Sequence, residues 1–385
     1  MSITVEEGKT LLVDGPASVT LISGIVEVFG FHLENMGKVV IRDGKRMPFT
    51  VEKTATFNIS LGENACLEEV EGSTIPLSWN KACEELLAIP SKPVTALVLG
   101  AADSGKTSFC TYLVNKLLGE KRKIAILDGD LGQSDIGPPC TVAYTFVSKP
   151  VTDLFNLEVE NAFFVGVTSP SKAIDRVLQG LTFLKEEVFS SNPDFVVVNT
   201  DGWVEGEDAI HYKVQLAEKI NPNIIFCIQQ EGKLSPLLTA LKNHRTLMID
   251  SPLTIKQRSR EKRRSLRELG YIKYLKNAKV QSIPLNWLKI KNCEQTGLSK
   301  NFGKEFTNKQ VTITFKGDEK GLLAALYDNE KKFLGIGVLR EINYTRKIMK
   351  IYTPVSSVIS TVIIGKVRLD KNLKEIPPTP IEEKH

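Results

Sequence analysis

Gly100-Ala101-Ala102-Asp103-Ser104-Gly105-Lys106-Thr107 is the string that most narrows what this 385-residue chain can fold into. It has the form GxxxxGK[ST], directly follows the apolar run VTALVLG, and opens the helical run KTSFCTYLVNKLLG. A strand that turns through glycines into a helix aims several backbone amides at one point, where the helix dipole also favours an anion. The string therefore reads as a loop that wraps the phosphates of a nucleoside triphosphate, with Ser108 next in line. Lys106 would reach the β- and γ-phosphates, and the Thr107 hydroxyl would take a Mg²⁺ position. Guanine-specific loops of this kind usually carry a later Asn-Lys-x-Asp string. Asn80-Lys81 and Asn308-Lys309 lack that Asp and lie outside the strand–helix region, so ATP is the expected nucleotide.

A loop of this kind needs a sheet behind it. From Val94 onward, apolar strands (VTALVLG, KIAILDGD, NAFFVGV, FVVVNTD, NIIFCIQ, RTLMID) alternate with amphipathic stretches, which predicts an α/β domain with a parallel sheet and helices on both faces. Residues 1–87 read instead as short strands punctuated by turns, and AIPSKP reads as a linker. After about Gln281 the chain returns to strand-like runs (VTITF, FLGIGVLREI, KIMKIYTP, VISTVIIGKVRL) and ends in a polar, proline-bearing tail. The expected plan is an N-terminal β domain over 1–90, the P-loop domain over 91–283, and a mostly β domain over 284–385. Hydrophobic and charged fractions of 42% and 25% exclude disordered and fibrous classes. Six cysteines without a CxxC pair point to a reduced, intracellular protein, and neither a secretory signal nor a membrane span is expected.

Ligands of open α/β sheets sit at the carboxyl ends of the strands. KIAILDGDLGQSD places Asp128 and Asp130 at such an end. Their i, i+2 spacing predicts that both share a strand face and approach a metal–triphosphate, one as metal ligand, the other accepting the proton of an attacking hydroxyl. One of them could instead cap a turn with Gly129 and Gly132. FVVVNTDGW puts Thr200, Gly202 and Trp203 just beyond another strand, where an indole is either a stacking platform for a base or packing for the next helix. Thr168-Ser169-Pro170 follows NAFFVGV and either contacts phosphate or caps a helix beginning at Ser171.

The formal net charge is only +5, which on its own argues against a nucleic-acid partner. KQRSREKRRSLR (256–267), however, holds seven basic residues and one acidic one, so positive charge is concentrated there. On a helix, Arg260, Arg263, Arg264 and Arg267 fall within an arc of roughly 100°, with Leu266 and Leu269 nearly opposite. That arrangement predicts a lid whose leucines face the domain while its arginines reach across the cleft; a solvated basic face is the alternative.

GAADSGKT, DGDLGQ, TDGW and RSREKRRSLR in this order resemble the polyribonucleotide 5′-hydroxyl-kinase family, over nearly the whole chain. The resemblance implies an ATP- and Mg²⁺-dependent kinase acting on 5′-hydroxyl ends of RNA, and of single-stranded DNA. It implies Asp130 as general base, and Lys106, Thr107 and Asp128 at the triphosphate and metal. Thr200, Gly202 and Trp203 would form a clasp on the first nucleotide. Arg263 and Arg267 would be the lid pair with Arg258 as a further arginine, and Gln133, Thr168 and Ser169 would contact substrate. Arg46 is the candidate from the N-terminal domain for holding adenine. The resemblance leaves open a scaffold that holds ATP without using it, and protein partners are not specified. An archaeal-type member would be cytoplasmic and a eukaryotic one nuclear.

Overall fold

The computed structural model describes residues 1–118, 122–229, 232–293 and 319–377. Three seven-stranded sheets follow one another along the chain.

The first is antiparallel, with Ala17–Val28 and Arg46–Leu61 as its long central strands. Register shifts at Leu21/Ser23 and Ser23/Ile25 bend this pair, and the bend encloses a core that includes Leu21, Val26, Phe49 and Phe57. Residues 77–87 correct the all-strand expectation, because Leu77–Leu87 is an α-helix. Its buried residues Trp79, Ala82, Cys83 and Leu86 recur at helical spacing, a signal that the shorter β-like runs before it obscured. Trp79 is fully buried, sits edge-on to Phe109 at 5.1 Å, and donates its indole N–H to the Asp250 carbonyl at 2.9 Å. Burying that ring stabilises the junction with the next sheet by about 1.5–3 kcal/mol.

The second sheet runs in the order Asn161–Phe164, Thr141–Val147, Ile124–Asp128, Phe195–Asn199, Val94–Gly100, Ile224–Gln229, Thr246–Asp250. Its last five strands are parallel, and Val94–Gly100 is buried throughout. The sheet is mostly rather than wholly parallel. Thr141–Val147, absent from the sequence-based plan, runs antiparallel to both neighbours, so Asn161–Phe164 is an antiparallel edge.

That edge receives the third sheet, in the order Lys279–Pro284, Ile348–Thr353, Phe333–Asn343, Leu322–Tyr327, Thr361–Leu369, Lys289–Asn292, with Glu375–Ile376 beside Thr361–Leu369. The Phe164 amide donates to the Tyr327 hydroxyl at 3.1 Å and the Lys366 amide to the Gly166 carbonyl at 2.9 Å. Leu322–Tyr327 is a strand that the sequence-based plan lacked, whereas VTITF lies outside the described residues. Among the described residues, no helix is long and apolar enough to cross a membrane.

Candidate active site

A cavity of about 900 Å³ opens where the carboxyl end of the second sheet faces the N-terminal β-sheet and the segment 252–267.

Its floor is the phosphate loop. Gly105 takes φ 96° as the N-cap of helix Lys106–Leu117, and a side chain there would meet Pro252 only 3.1 Å away. Residues 102–108 line the cavity, while Gly100 and Ala101 lie behind them. Lys106 is 7% exposed and donates to the Gly100 carbonyl at 2.9 Å and the Ala101 carbonyl at 2.7 Å. Burial pushes its ammonium down to about 8 against the pull of the Asp130 carboxylate. The Ser104 hydroxyl is the buried side-chain oxygen that has no hydrogen-bond partner among the described residues. A buried ammonium and the amides at a helix N-terminus together form an anion site.

The two aspartates of the acidic strand end have different surroundings. The strand stops at Asp128, so the period-2 argument does not extend to Asp130, which lies in the following turn. Asp128 is fully buried and organises that turn. It accepts from the Asp135 amide at 2.9 Å, the Asn199 side-chain amide at 3.0 Å and the Asp130 amide at 3.2 Å. Burial, reinforced by the charges of Asp130 and Asp135, pushes its carboxyl up to about 7. Asp128 does not line the cavity, and its bonds are those of the turn-capping alternative; Asp130 does line it. Gly132 and Gln133 amides both donate to Asp130 Oδ1, at 3.0 and 2.9 Å, which leaves Oδ2 to the cavity. Burial, and then the Asp201 charge, raise its pKa, while Lys106 and those amides oppose the rise.

Gly202 and Trp203 line the cavity; Thr200 does not. The Thr200 hydroxyl is buried and donates to the Val98 carbonyl at 2.8 Å, tying the loop to the P-loop strand. A side chain at Gly202 would lie 2.5 Å from Ala102 Cα, so glycine is what allows the Trp loop to rest on the phosphate loop. Trp203 packs on the next helix. One side stacks on Tyr212 at 6.0 Å and 24°, and the residue also faces the cavity. Thr168 and Ser169 line the same rim, but the capping expectation is corrected. Ser169 precedes a 3₁₀ turn, Pro170–Lys172, without a side-chain cap, and the α-helix begins at Ile174.

The lid segment forms the roof. The helix is Arg260–Tyr274, capped by the Ser259 hydroxyl accepting from the Lys262 amide at 3.1 Å, so Arg258 lies ahead of it. Arg263 pairs with Asp103 of the phosphate loop at 2.7 Å, the Arg258 amide donates to the same carboxylate at 2.9 Å, and its guanidinium lies 3.5 Å away. The Gln133 side chain donates to the Arg263 carbonyl at 3.0 Å. Arg267 makes a two-pronged pair with Glu375 at 2.7 Å, and the Tyr271 hydroxyl reaches the same carboxylate at 3.0 Å. Arg258, Arg263 and Arg267 all line the cavity. Arg264 does not; it pairs with Glu268 at 3.3 Å, so the expected arginine arc is split. Arg46 faces the cavity from the N-terminal sheet, paired with Asp14 at 2.8 Å, and Lys256 also reaches Asp14.

The donor set suits Mg²⁺, which takes oxygen ligands from one or two carboxylates or hydroxyls and the rest from phosphates and water. Thr107 and Asp130 supply such oxygens at the cavity, and no cluster of three metal-ligating side chains exists among the described residues to compete. Sequence reasoning passed over Asp201 and Glu375. The first sits inside TDGW yet reads as an ordinary loop acid, and its partner Lys213 lies twelve residues on. The second sits near the end of the described chain with no local pattern at all.

Residues 100–277 match the family described as mRNA cleavage and polyadenylation factor CLP1 P-loop. The polyribonucleotide 5′-hydroxyl-kinase of Pyrococcus abyssi is 26% identical over 322 residues, which cover 74% of this chain and 90% of that protein. Its Thermococcus kodakarensis counterpart is 28% identical over 329 residues, 76% of this chain and 93% of that protein. The solved structure of a wild-type Clp1p–Pcf11p (454–563) complex contains a chain that superposes with a TM-score of 0.73 over 96% of this chain and 97% of its own length. At 16% identity, that likeness establishes a shared fold.

Proposed function

We infer that this chain, a homologue of the archaeal and eukaryotic polyribonucleotide 5′-hydroxyl-kinases, transfers the γ-phosphoryl group of ATP to the 5′-hydroxyl end of RNA and of single-stranded DNA. The observation that carries the reading is the convergence of phosphate loop, Asp130, Trp203 and lid arginines on one cavity. We assign residues 1–90, 91–283 and 284–385 to the N-terminal β, kinase and C-terminal β domains.

The loop amides cradle the triphosphate, and Lys106 exchanges the Gly100 and Ala101 carbonyls for β- and γ-oxygens. A Mg²⁺ ion held by Thr107 together with the phosphates would offset charge on the triphosphate and leave Asp130 Oδ2 for the proton. Trp203 stacks the terminal base, Gly202 sets its distance from the donor, and Gln133, Thr168 and Ser169 face the sugar and phosphate that follow. Asp130 Oδ2 accepts the proton of the 5′-hydroxyl as its oxygen attacks. Arg263 and Arg258 leave Asp103 for the transferring group, with Arg267 behind them, and offset the charge that spreads over its equatorial oxygens.

Transfer of labelled γ-phosphate from ATP to matched 5′-hydroxyl RNA and DNA oligonucleotides tests the reading directly. The expected result is a labelled 5′-phosphate end. ATP binding without transfer would make the chain a nucleotide-holding scaffold instead.

A further inference from the structure

Beneath the Trp loop lies a buried charge pair whose carboxylate also lines the cavity. Asp201 is 4% exposed and Lys213 is fully buried, and their charged atoms meet at 2.8 Å. The Lys213 ammonium also donates to the Asp201 carbonyl at 3.1 Å. The other two bonds of the carboxylate end on the clasp itself. Oδ1 accepts from the Trp203 amide at 2.9 Å, and Oδ2 from the Tyr212 hydroxyl at 3.0 Å. Tyr212 is the ring on which Trp203 stacks. Burial, and then the Asp201 charge, keep that phenol protonated, so it stays a donor.

We propose that Asp201 is a positioning residue for the acceptor nucleotide: held by Lys213, it fixes both the backbone of Trp203 and the ring beneath its indole. The inference rests on the kinase reading and deepens it. Tyr212 and Lys213 come from adjacent positions of helix Glu207–Ile220, so one helical turn grips Oδ2 with two donors and leaves Oδ1 to the Trp203 amide. A clasp ordered before the nucleotide arrives loses less side-chain freedom on binding, and the gain appears in acceptor affinity. ATP meets the phosphate loop, where the two charges of the pair act on Lys106 in opposite senses and the double variant removes both together.

The test uses the full chain and compares the oligonucleotide KM with the ATP Kd. Asp201→Ala alone would strand a buried ammonium and could unfold the protein, so it is combined with Lys213→Met, which removes both charges. The double variant is expected to raise the oligonucleotide KM by about tenfold, within the range of losing one base stack, while ATP affinity stays at the wild-type value. Asp201→Asn with Lys213→Met keeps an acceptor for the Trp203 amide and is expected to recover most of the lost affinity. Trp203→Ala serves as the control for the clasp. If it raises KM and the Ala/Met variant does not, the positioning role is overturned. Equal losses of ATP and oligonucleotide binding in the Ala/Met and Asn/Met variants would also overturn it, reducing the pair to scaffold. If Trp203→Ala itself leaves KM unchanged, the clasp reading fails first and the inference falls with it.

Discussion

The floor of the cavity is held by main-chain amides, a buried ammonium and carboxylates fixed by short local bonds, whereas its roof is held by arginines paired with carboxylates on other elements. Asp130 accepts from amides two and three residues away; Arg263 pairs with an aspartate 160 residues away. The floor resembles a preformed site, in which the geometry exists before any ligand binds. The roof resembles a latch: Asp103 of the phosphate loop holds Arg258 and Arg263, the two arginines that the proposed reaction would draw onto the transferring group. Arg267 differs from its two neighbours, because Glu375 and Tyr271 bind the foot of the same helix to the third sheet. The roof is therefore fixed at one end and exchangeable at the other.

That contrast can be broken most sharply at Asp130. Asp130→Asn keeps its size and should lower turnover by ~10⁴-fold, the upper range for losing a general base, while calorimetry still finds ATP bound. Collapse of ATP binding would make the residue mainly a metal ligand. Arg263→Ala should cost about 10³-fold in kcat, as cationic fingers do, with little change in ATP affinity. A loss below about tenfold would reduce the roof to a solvated basic face. Trp203→Ala should raise the oligonucleotide KM by roughly tenfold to a hundredfold through lost stacking and leave the ATP Kd alone. The smallest effect is a pH dependence. Lys106 has been pushed down to about 8 in the free protein, so above that pH it must take up a proton to meet the triphosphate. ATP affinity should therefore be level below about pH 8 and fall by up to about tenfold per unit above it, since phosphate oxygens are already ionised there. A profile that stays level to higher pH would show that Lys106 is charged in its resting contacts.

Floor and roof also differ in how much the sequence discloses. GAADSGKT and TDGW are contiguous strings at the ends of apolar strands, so residue type, order and position coincide, and the site could be placed from them. Asp128 illustrates the limit even there. Its spacing from Asp130 predicts a shared strand face, but the strand ends at Asp128 and only Asp130 lines the cavity. Whether a strand continues two residues further depends on hydrogen bonds to Asn199 and Asp135, which spacing does not encode. The helix of the lid and its leucine face were legible from charge and period. The partners that hold its arginines, Asp103 and Glu375, were not, because pairing across more than a hundred residues leaves no local pattern. The helix Leu77–Leu87 was hidden for a different reason: it follows seven strands and carries its apolar face in only eleven residues.

The contact between Gly202 and Ala102 has a consequence for acceptor choice. With a hypothetical Cβ only 2.5 Å from the neighbouring chain, the two loops touch backbone to backbone. On the proposed reading, the backbone part of the span from Trp203 to the transferring phosphorus is thus a ruler ruled in peptide units. A hydroxyl displayed one bond closer to its base, or one bond further, would be gripped just as firmly and yet arrive at the wrong mark.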